Sequence, residues 1–523
     1  MAENYEKDIN SPGFHRDEHG EQEKLAKIVQ DVCKGTPHMR DCGMKYLPMH
    51  AAEKEDEYKI RKGRAVLFNA TSRTLHTLVG LVFRDEPKLR EDVPEWMRGN
   101  SGASSSEELG ILRSLYNLAT GTPGASFASR AAAIIERYRQ WSAGPKVKTK
   151  GMLDDCDRNG THWSVFFKEV FRLALRDGHA GILVDMPPRP KVGNNAAGIV
   201  TAADTSNAQP YFVKYEKDQI VNWDEDDSGR LSLLVLEEES TERDGVYGRK
   251  KVCRYRVLTP GYWSLWRVVK DAQTGVTTLI LDLMPDGSDA EGETGLDEIP
   301  FSVAYARKEA TLVSSPPLID LALLNIAHYQ LMSDHSTAVY VASNPIQLFT
   351  GFSPGWKLDS IGPYAYIVEQ NAEAKGVYVE TSGNAFAAAA NLINKYEEHI
   401  AATGSSMLVK NDVATTATEE RGDNLREESE LDTAARSMRD CGERAFYFAA
   451  KYLDPKAETG GTIHGITTPD KQEMTPQEMQ VWIQAQIAGV FSRETVWAKF
   501  QQAGKLNEGF KPTDETMRLE QDA

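Results

Sequence analysis

The chain has 523 residues, of which 41% are hydrophobic and 26% charged, and its formal net charge is −17. That length allows roughly two to four domains with cores of their own. The acidic balance excludes tight, non-specific nucleic-acid binding through a basic stripe, although not a surface that DNA slides past. Five widely spaced cysteines (Cys33, Cys42, Cys156, Cys253 and Cys441) with no CxxC fit a reducing compartment and exclude a thiolate zinc knuckle of recognisable spacing.

Residues 1–20 are polar and acidic, lack the apolar core of a signal peptide, and are expected to form a disordered arm. Helical spacing follows through Leu25, Ile28, Val29 and Val32, and again from Glu57 to Phe83. Residues 99–108 read as a linker, and 109–141 as helix-like pieces broken by TGTPG. THWSVFFKEVFRLALRDG reads as a helix with Thr161 as N-cap and Gly178 as terminator. HAGILVDMPP is expected to be a buried strand. Between Pro210 and Phe301, PYFVKYE, QIVNW, LSLLVLEEES, VCRYRVLT, YWSLWRVV and TTLILDLM predict a meander of about six strands.

Helix returns over Pro316–Ala342, where Asp320, Asn325, His328, Gln330 and Asp334 interrupt the apolar run too often for a membrane span. IQLFTGF and YAYIVEQ read as short strands, and 384–402 as a second helix. A small, polar loop at 403–418 then opens into a helix expected over 419–453, roughly 50 Å long at about 1.5 Å per residue. Its apolar stripe is Leu431, Ala434, Ala435, Met438, Cys441, Ala445, Phe448 and Tyr452. The tail, 475–503, predicts two short helices joined by GVFSRET. The fold class is therefore α+β.

Chemical motifs are sparse. GxxxxGK[ST], HExxH and a GxGxxG following a strand are missing. DDCDRNG (154–160) starts like a calcium loop with Asp155, Asp157, Asn159 and Gly160, but its twelfth position is Phe166 instead of Glu. It reads better as a polar turn. His15 and His19 have chelating spacing without an evident third ligand. His328 and His335, with Asp320 and Asp334, read as helix-packing and inter-helix hydrogen-bonding groups, and Trp263 and Trp266 as core. One reading is a soluble hydrolase or transferase using carboxylates such as Asp185, which ends a buried strand, although Asp185 reads better as a strand-end turn residue.

The ordered set TSRTLHTLVGLVFRDEP (71–87), FKEVFRLALRDGHAGILVDMPP (167–188), QPYF (209–212), QIVNW (219–223), CRYRVL (253–258), DEIPF (297–301), PPLIDLALLNIAHYQLMSDH (316–335) and the GSSMLV region resembles the tailed-phage portal proteins. The resemblance covers roughly 57–455. It implies a non-enzymatic, cofactor-free ring of about twelve subunits around a DNA channel, at a capsid vertex of the virion and assembled in the host cytoplasm. The implied parts are a wing over 21–314 (helical to 185, β-rich over 186–314), a stem helix at 315–342 and a clip at 343–382. A second stem helix at 383–402, a tunnel loop at 403–418, a long wing helix at 419–454 and a crown at 455–523 complete it.

Double-stranded DNA would pass the loop residues Ser405, Ser406, Met407, Lys410, Asn411, Thr415 and Thr416, with Lys410 as a weak phosphate contact. Glu427, Glu428, Glu430 and Asp432 are candidate lumen-facing acids; outside a ring they would simply be a solvated face. Phe349, Phe352, Trp356, Lys357, Tyr364 and Tyr366 are candidate docking residues of the clip, which would meet the large terminase subunit and later the head–tail adaptor. The major capsid protein and scaffold are further implied partners, and no membrane is involved.

Overall fold

The structure, a computed structural model, describes residues 8–89, 93–98, 151–187, 209–270, 277–284, 287–343, 346–352, 371–379, 384–406, 429–466, 476–487 and 492–502. The chain forms two units, Met1–Thr467 and Thr468–Ala523.

Helix α1 (Asp17–Cys33) buries Ala26, Val29 and Val32 at helical spacing. Its first four residues, 17–20, lie inside the expected disordered arm. That part of the arm is instead docked: Arg16 N–H donates to the Val221 carbonyl at 3.1 Å and Arg16 Nη1 to the Trp223 carbonyl at 2.6 Å. The guanidinium also lies 5.1 Å from the Trp223 ring centroid. Polar side chains that look solvated in sequence are held by a neighbouring strand's backbone.

The pattern 57–83 resolves into two helices, α2 (Glu55–Arg64) and α3 (Ala70–Val82). Extended backbone at Ala65 (ψ 131°) breaks it, and Leu67 N–H donates to Thr36 Oγ1 at 3.1 Å. Asn69 caps α3, its side chain accepting from Ser72 N–H at 3.0 Å. Helix α4 (Trp163–Asp177) is capped by His162, whose ring nitrogen accepts from Ser164 N–H, so the cap lies one residue past the expected Thr161. Gly178 ends it with φ 104°, where any Cβ would also sit 2.5 Å from Ser314 Oγ.

Strand β1 (His179–Asp185) is buried along nearly its whole length and pairs antiparallel with β2 (Tyr211–Tyr215), Gly181 facing Tyr215. The larger sheet holds β3 (Ile220–Glu225), β4 (Leu231–Asp244), β5 (Gly248–Thr259), β6 (Tyr262–Lys270) and β7 (Thr277–Leu281) in that order, with β8 (Glu291–Glu293) also on β6. Strand β9 (Phe301–Tyr305) crosses back to flank β1. PYFVKYE therefore leaves the expected six-strand meander for the smaller sheet. Its alternation suits either sheet, and the buried apolar face of β1 takes it.

Helix α5 (Ile319–Ala342) leads to a two-stranded ribbon of β10 (Ile346–Thr350) and β11 (Lys375–Val379), then to helix α6 (Asn384–Ser406). Strand β11 was not expected. The expected strand YAYIVEQ lies outside the described residues. Helix α7 (Glu430–Leu453) has 24 residues, about 36 Å, instead of the roughly 50 Å read from sequence. Ser429 stops it: the residue is extended (ψ 155°) and forms a capping box with Asp432. Ile463 and His464 pair with Leu89 and Lys88, so residues 455–466 belong to the first unit. The second unit contains α8 (Pro476–Ile487) and α9 (Arg493–Gln502).

The main core lies where α1, α3, α4, α5 and α7 meet the small sheet, with Phe167, Val170, Ile182, Tyr329, Met438 and Phe446 among its members. A second cluster, including Leu183, Tyr215, Trp223 and Leu236, joins the two sheets. Gly442 lets α7 approach closely, since a Cβ there would lie 2.4 Å from the Phe167 ring and 2.7 Å from Ile463. Gly442→Ala should destabilise the protein by about 1–3 kcal/mol through overpacking. An unchanged midpoint in denaturant unfolding would show that this helix–helix contact is looser than described.

Candidate functional site

Three helices and the ribbon carry the residues singled out in the sequence. The first half of α5 is core: Leu321, Ala322, Ile326 and Tyr329 are buried. Asn325, fully buried, fastens it to the start of α3. Its Nδ2 donates to the Phe68 carbonyl at 2.7 Å, and its Oδ1 accepts from Thr71 N–H at 3.2 Å and Thr71 Oγ1 at 3.1 Å. The far half of α5 emerges from the core, leaving Val339 and Tyr340 exposed. The Arg64 guanidinium lies 3.8 Å from the Tyr340 ring centroid.

Helix α6 runs back antiparallel to α5. His335 meets Phe386 edge-on at 6.5 Å, and further down His328 Nε2 lies 3.5 Å from Glu397 Oε1. The histidines thus sit at the helix–helix seam, as their spacing predicts. Asp334 points the other way, accepting from Arg61 Nη1 at 3.2 Å and lying 3.1 Å from His50 Nε2. Arg61 is only 3% exposed. It is satisfied by a two-pronged pair with Glu53, both contacts 2.7 Å, and by the Pro48 carbonyl at 2.7 Å. Those bonds hold the Glu53 carboxyl down at about 2.

The ends of the expected tunnel loop are fixed on the core. Helix α6 continues through Ser406, so Ser405 and Ser406 are helical and not loop. Near that end, a Cβ on Gly404 would lie 3.1 Å from Thr74 Oγ1 of α3. On the other side Ser429 caps α7, and Glu430 pairs with Arg307 just beyond β9. Asp432 is engaged in the cap: its carboxylate accepts from Ser429 Oγ at 2.8 Å and from Ser429 N–H at 3.2 Å. Met407, Lys410, Asn411, Thr415, Thr416, Glu427 and Glu428 lie outside the described residues.

In the ribbon, Phe349 and Phe352 meet edge-to-face at 5.5 Å. Phe349 lies over Gly376 of β11, where a Cβ would approach its ring to 3.1 Å. Leu348 and Val377 are exposed on the same ribbon. Trp356, Lys357, Tyr364 and Tyr366 fall outside the described residues.

A family model described as a domain of unknown function (DUF4055) matches residues 317–453. That span opens just before α5 and closes with α7, so it takes in the hairpin, the ribbon, the end of α6, all of α7 and the segment 407–428. No curated protein matches the chain.

The remaining candidates resolve individually. Asp185 accepts from Tyr211 Oη at 2.9 Å, Arg256 Nη1 at 3.2 Å and Met186 N–H at 2.8 Å. The calcium-like loop is closed by its own bonds: Asp155 accepts from Gly160 N–H at 2.8 Å and Asp157 from Asn159 N–H at 2.9 Å. His15 and His19 stack edge-on at 5.2 Å, and His19 Nε2 lies 3.0 Å from the Asp218 carbonyl oxygen, a hydrogen-bonding position. Trp263 and Trp266 pack half-buried against the sheet clusters. Among the described residues no helix is long and apolar enough to cross a membrane.

Sequence reading missed Asn325, Arg61 and Ser429 as the groups that place the hairpin and the start of α7. For Ser429 a signal was present, Ser followed three residues later by an acid at the head of an apolar stripe. Asn325 and Arg61 have partners far away in the chain, and no local pattern marks them.

The Glu53 carboxyl is depressed from its ordinary 4.5 to about 2. It therefore contributes stability in full above its ordinary value, and that contribution is lost as pH falls through the interval from 4.5 to about 2. Glu53→Gln should be less stable than the native chain at neutral pH, with the gap closing across that interval. Parallel unfolding curves over the same pH range would remove Glu53 from this role.

Proposed function

We propose that the chain is a portal subunit of a tailed phage: a non-enzymatic DNA conduit at one capsid vertex, working as a closed ring of about twelve copies. The observation that carries this reading is the anchoring of residues 407–428. Helix α6 delivers one end of that segment to α3 and helix α7 begins at the other against β9. The α5–α6 hairpin meanwhile carries a small ribbon at its opposite end. A long segment held at both ends by rigid helices suits a loop that projects into a channel. A ribbon on an emergent hairpin suits a clip.

In this reading α5 and α6 are the stem, β10 and β11 the clip, and the sheets with α1–α4 and α7 the wing. The clip, with Phe349 and Phe352 toward the end of the ribbon away from α5 and α6, takes the large terminase subunit during packaging and the head–tail adaptor afterwards. Capsid protein and scaffold meet the outside of the ring. A chain of net charge −17 repeated about twelve times presents DNA with mostly repulsion, which keeps the duplex from sticking. Lys410 offers a thin ring of salt-sensitive phosphate contacts without base readout. The competing enzyme reading has no comparable support, because Asp185 is already held by Tyr211, Arg256 and Met186.

Purified protein should sediment as a ring of several hundred kilodaltons and image as a hollow disc in negative stain. Compact monomers at micromolar concentration and physiological salt would sink the proposal. Lys410→Ala should leave the ring intact and shorten DNA retention, with the difference from the native chain fading as salt rises. Loss of assembly in that variant would make the loop an interface element instead.

A further inference from the structure

The C-terminal end of α1 and the short helix Thr36–Cys42 bring together three different metal-ligating side chains that the channel reading does not use. Asp31 Oδ1 lies 2.8 Å from His38 Nε2, and His38 Nε2 lies 3.5 Å from Cys42 Sγ. One ligand atom from each of the three falls within 4.8 Å of the others. His38 and Cys42 are four residues apart on one helix face, and the turn at Lys34–Gly35 folds that face onto Asp31.

We propose that Asp31, His38 and Cys42 form a mononuclear site for a divalent cation of the zinc class. A tetrahedral zinc with bonds of about 2.0–2.3 Å places its ligand atoms about 3.4–3.6 Å apart. The His38–Cys42 separation of 3.5 Å is already that edge. The Asp31–His38 separation of 2.8 Å has to open by about 0.6 Å to admit the ion. The second carboxylate oxygen of Asp31 is already engaged: it accepts from Lys45 Nζ at 2.8 Å and Tyr46 Oη at 2.9 Å. Ligating carboxylates are oriented by outer partners of this kind.

Asp31 itself is 2% exposed, whereas His38 is 33% exposed, so the site is built at its floor and open at its mouth. A water completes the fourth position. Lys34 Nζ, 3.7 Å from Asp31 Oδ1 and half exposed, swings to solvent as the ion enters. The proton balance is simple. The Cys42 thiol releases its proton to solvent as the sulfur–metal bond forms, and His38 carries its single proton on Nδ1 so that the Nε2 lone pair faces the ion. A mixed oxygen, nitrogen and sulfur set favours zinc or cobalt over magnesium or calcium.

The test uses the full chain, stripped of metal by chelator and titrated with cobalt(II). Near one equivalent, a thiolate-to-cobalt charge-transfer band is expected in the near ultraviolet, together with visible bands of four-coordinate intensity. Cys42→Ser should abolish the charge-transfer band, and His38→Ala should weaken cobalt binding more than about tenfold. No such band at one equivalent, or a band that survives Cys42→Ser, overturns the proposal. A second measurement needs no variant. Zinc(II) should slow alkylation of Cys42 by iodoacetamide, read by peptide mass spectrometry, while leaving Cys253 unaffected. Equal rates at Cys42 with and without zinc overturn it as well.

Discussion

The structure depends most on the packing of α7 into the aromatic centre of the core. Phe446 meets Trp163 at 5.8 Å, Phe167 at 5.5 Å and Phe212 at 5.4 Å between ring centroids. Each such pair adds about 0.5–1.5 kcal/mol beyond the apolar area it buries. Two of these contacts join chain positions more than 270 residues apart, and they fix α4, β2 and α7 to one another. Glycine at 442 and 460 makes the approach possible, since a Cβ at either would lie within 2.4 Å of an aromatic ring atom or of the helix backbone. Ser437 adds direction by accepting from Tyr305 N–H at 2.8 Å, which sets α7 along β9.

From that packing follows the place where α7 begins, and with it one anchor of the 407–428 segment. The other anchor follows from α5 and α6, and there the deciding contacts are polar. Arg61, Asn325 and Asp177 are almost wholly buried. Asp177 is held by Arg176 at 2.6 Å and by Gln30 at 3.2 Å. Buried Lys217 donates to the Ser314 carbonyl at 2.6 Å, and burial lowers its pKa to about 8. Such groups add little net stability compared with apolar residues, but a misplaced partner leaves an uncompensated buried charge. They therefore select one arrangement of the helices.

Much of this was legible in the chain wherever a local period carried it. The stripe from Leu431 to Phe448 identified the buried face of α7, because burial on a helix recurs every three or four residues. Strand β1 was legible as a continuous apolar run, and α4 through its apolar spacing and Gly178. The start of α7 was misplaced because charged residues before Ser429 extend helical propensity while the capping box interrupts it. The docked arm was misread because Arg16 and His19 are satisfied by carbonyls of residues 218–223, some two hundred positions away. Ribbon strand β11 escaped notice because it is a short run beside a stronger apolar candidate.

The sequence by itself determined the α+β class, the acidic surface, the helices with a clear apolar face and the scarcity of catalytic motifs, since each depends on composition or on spacing within one element. Tertiary structure alone decided which sheet received Tyr211–Tyr215, where α7 starts, which carboxylates are engaged, and the meeting of Asp31 with His38 and Cys42. Those outcomes turn on distances between residues that no local period connects, and only the closed core sets them.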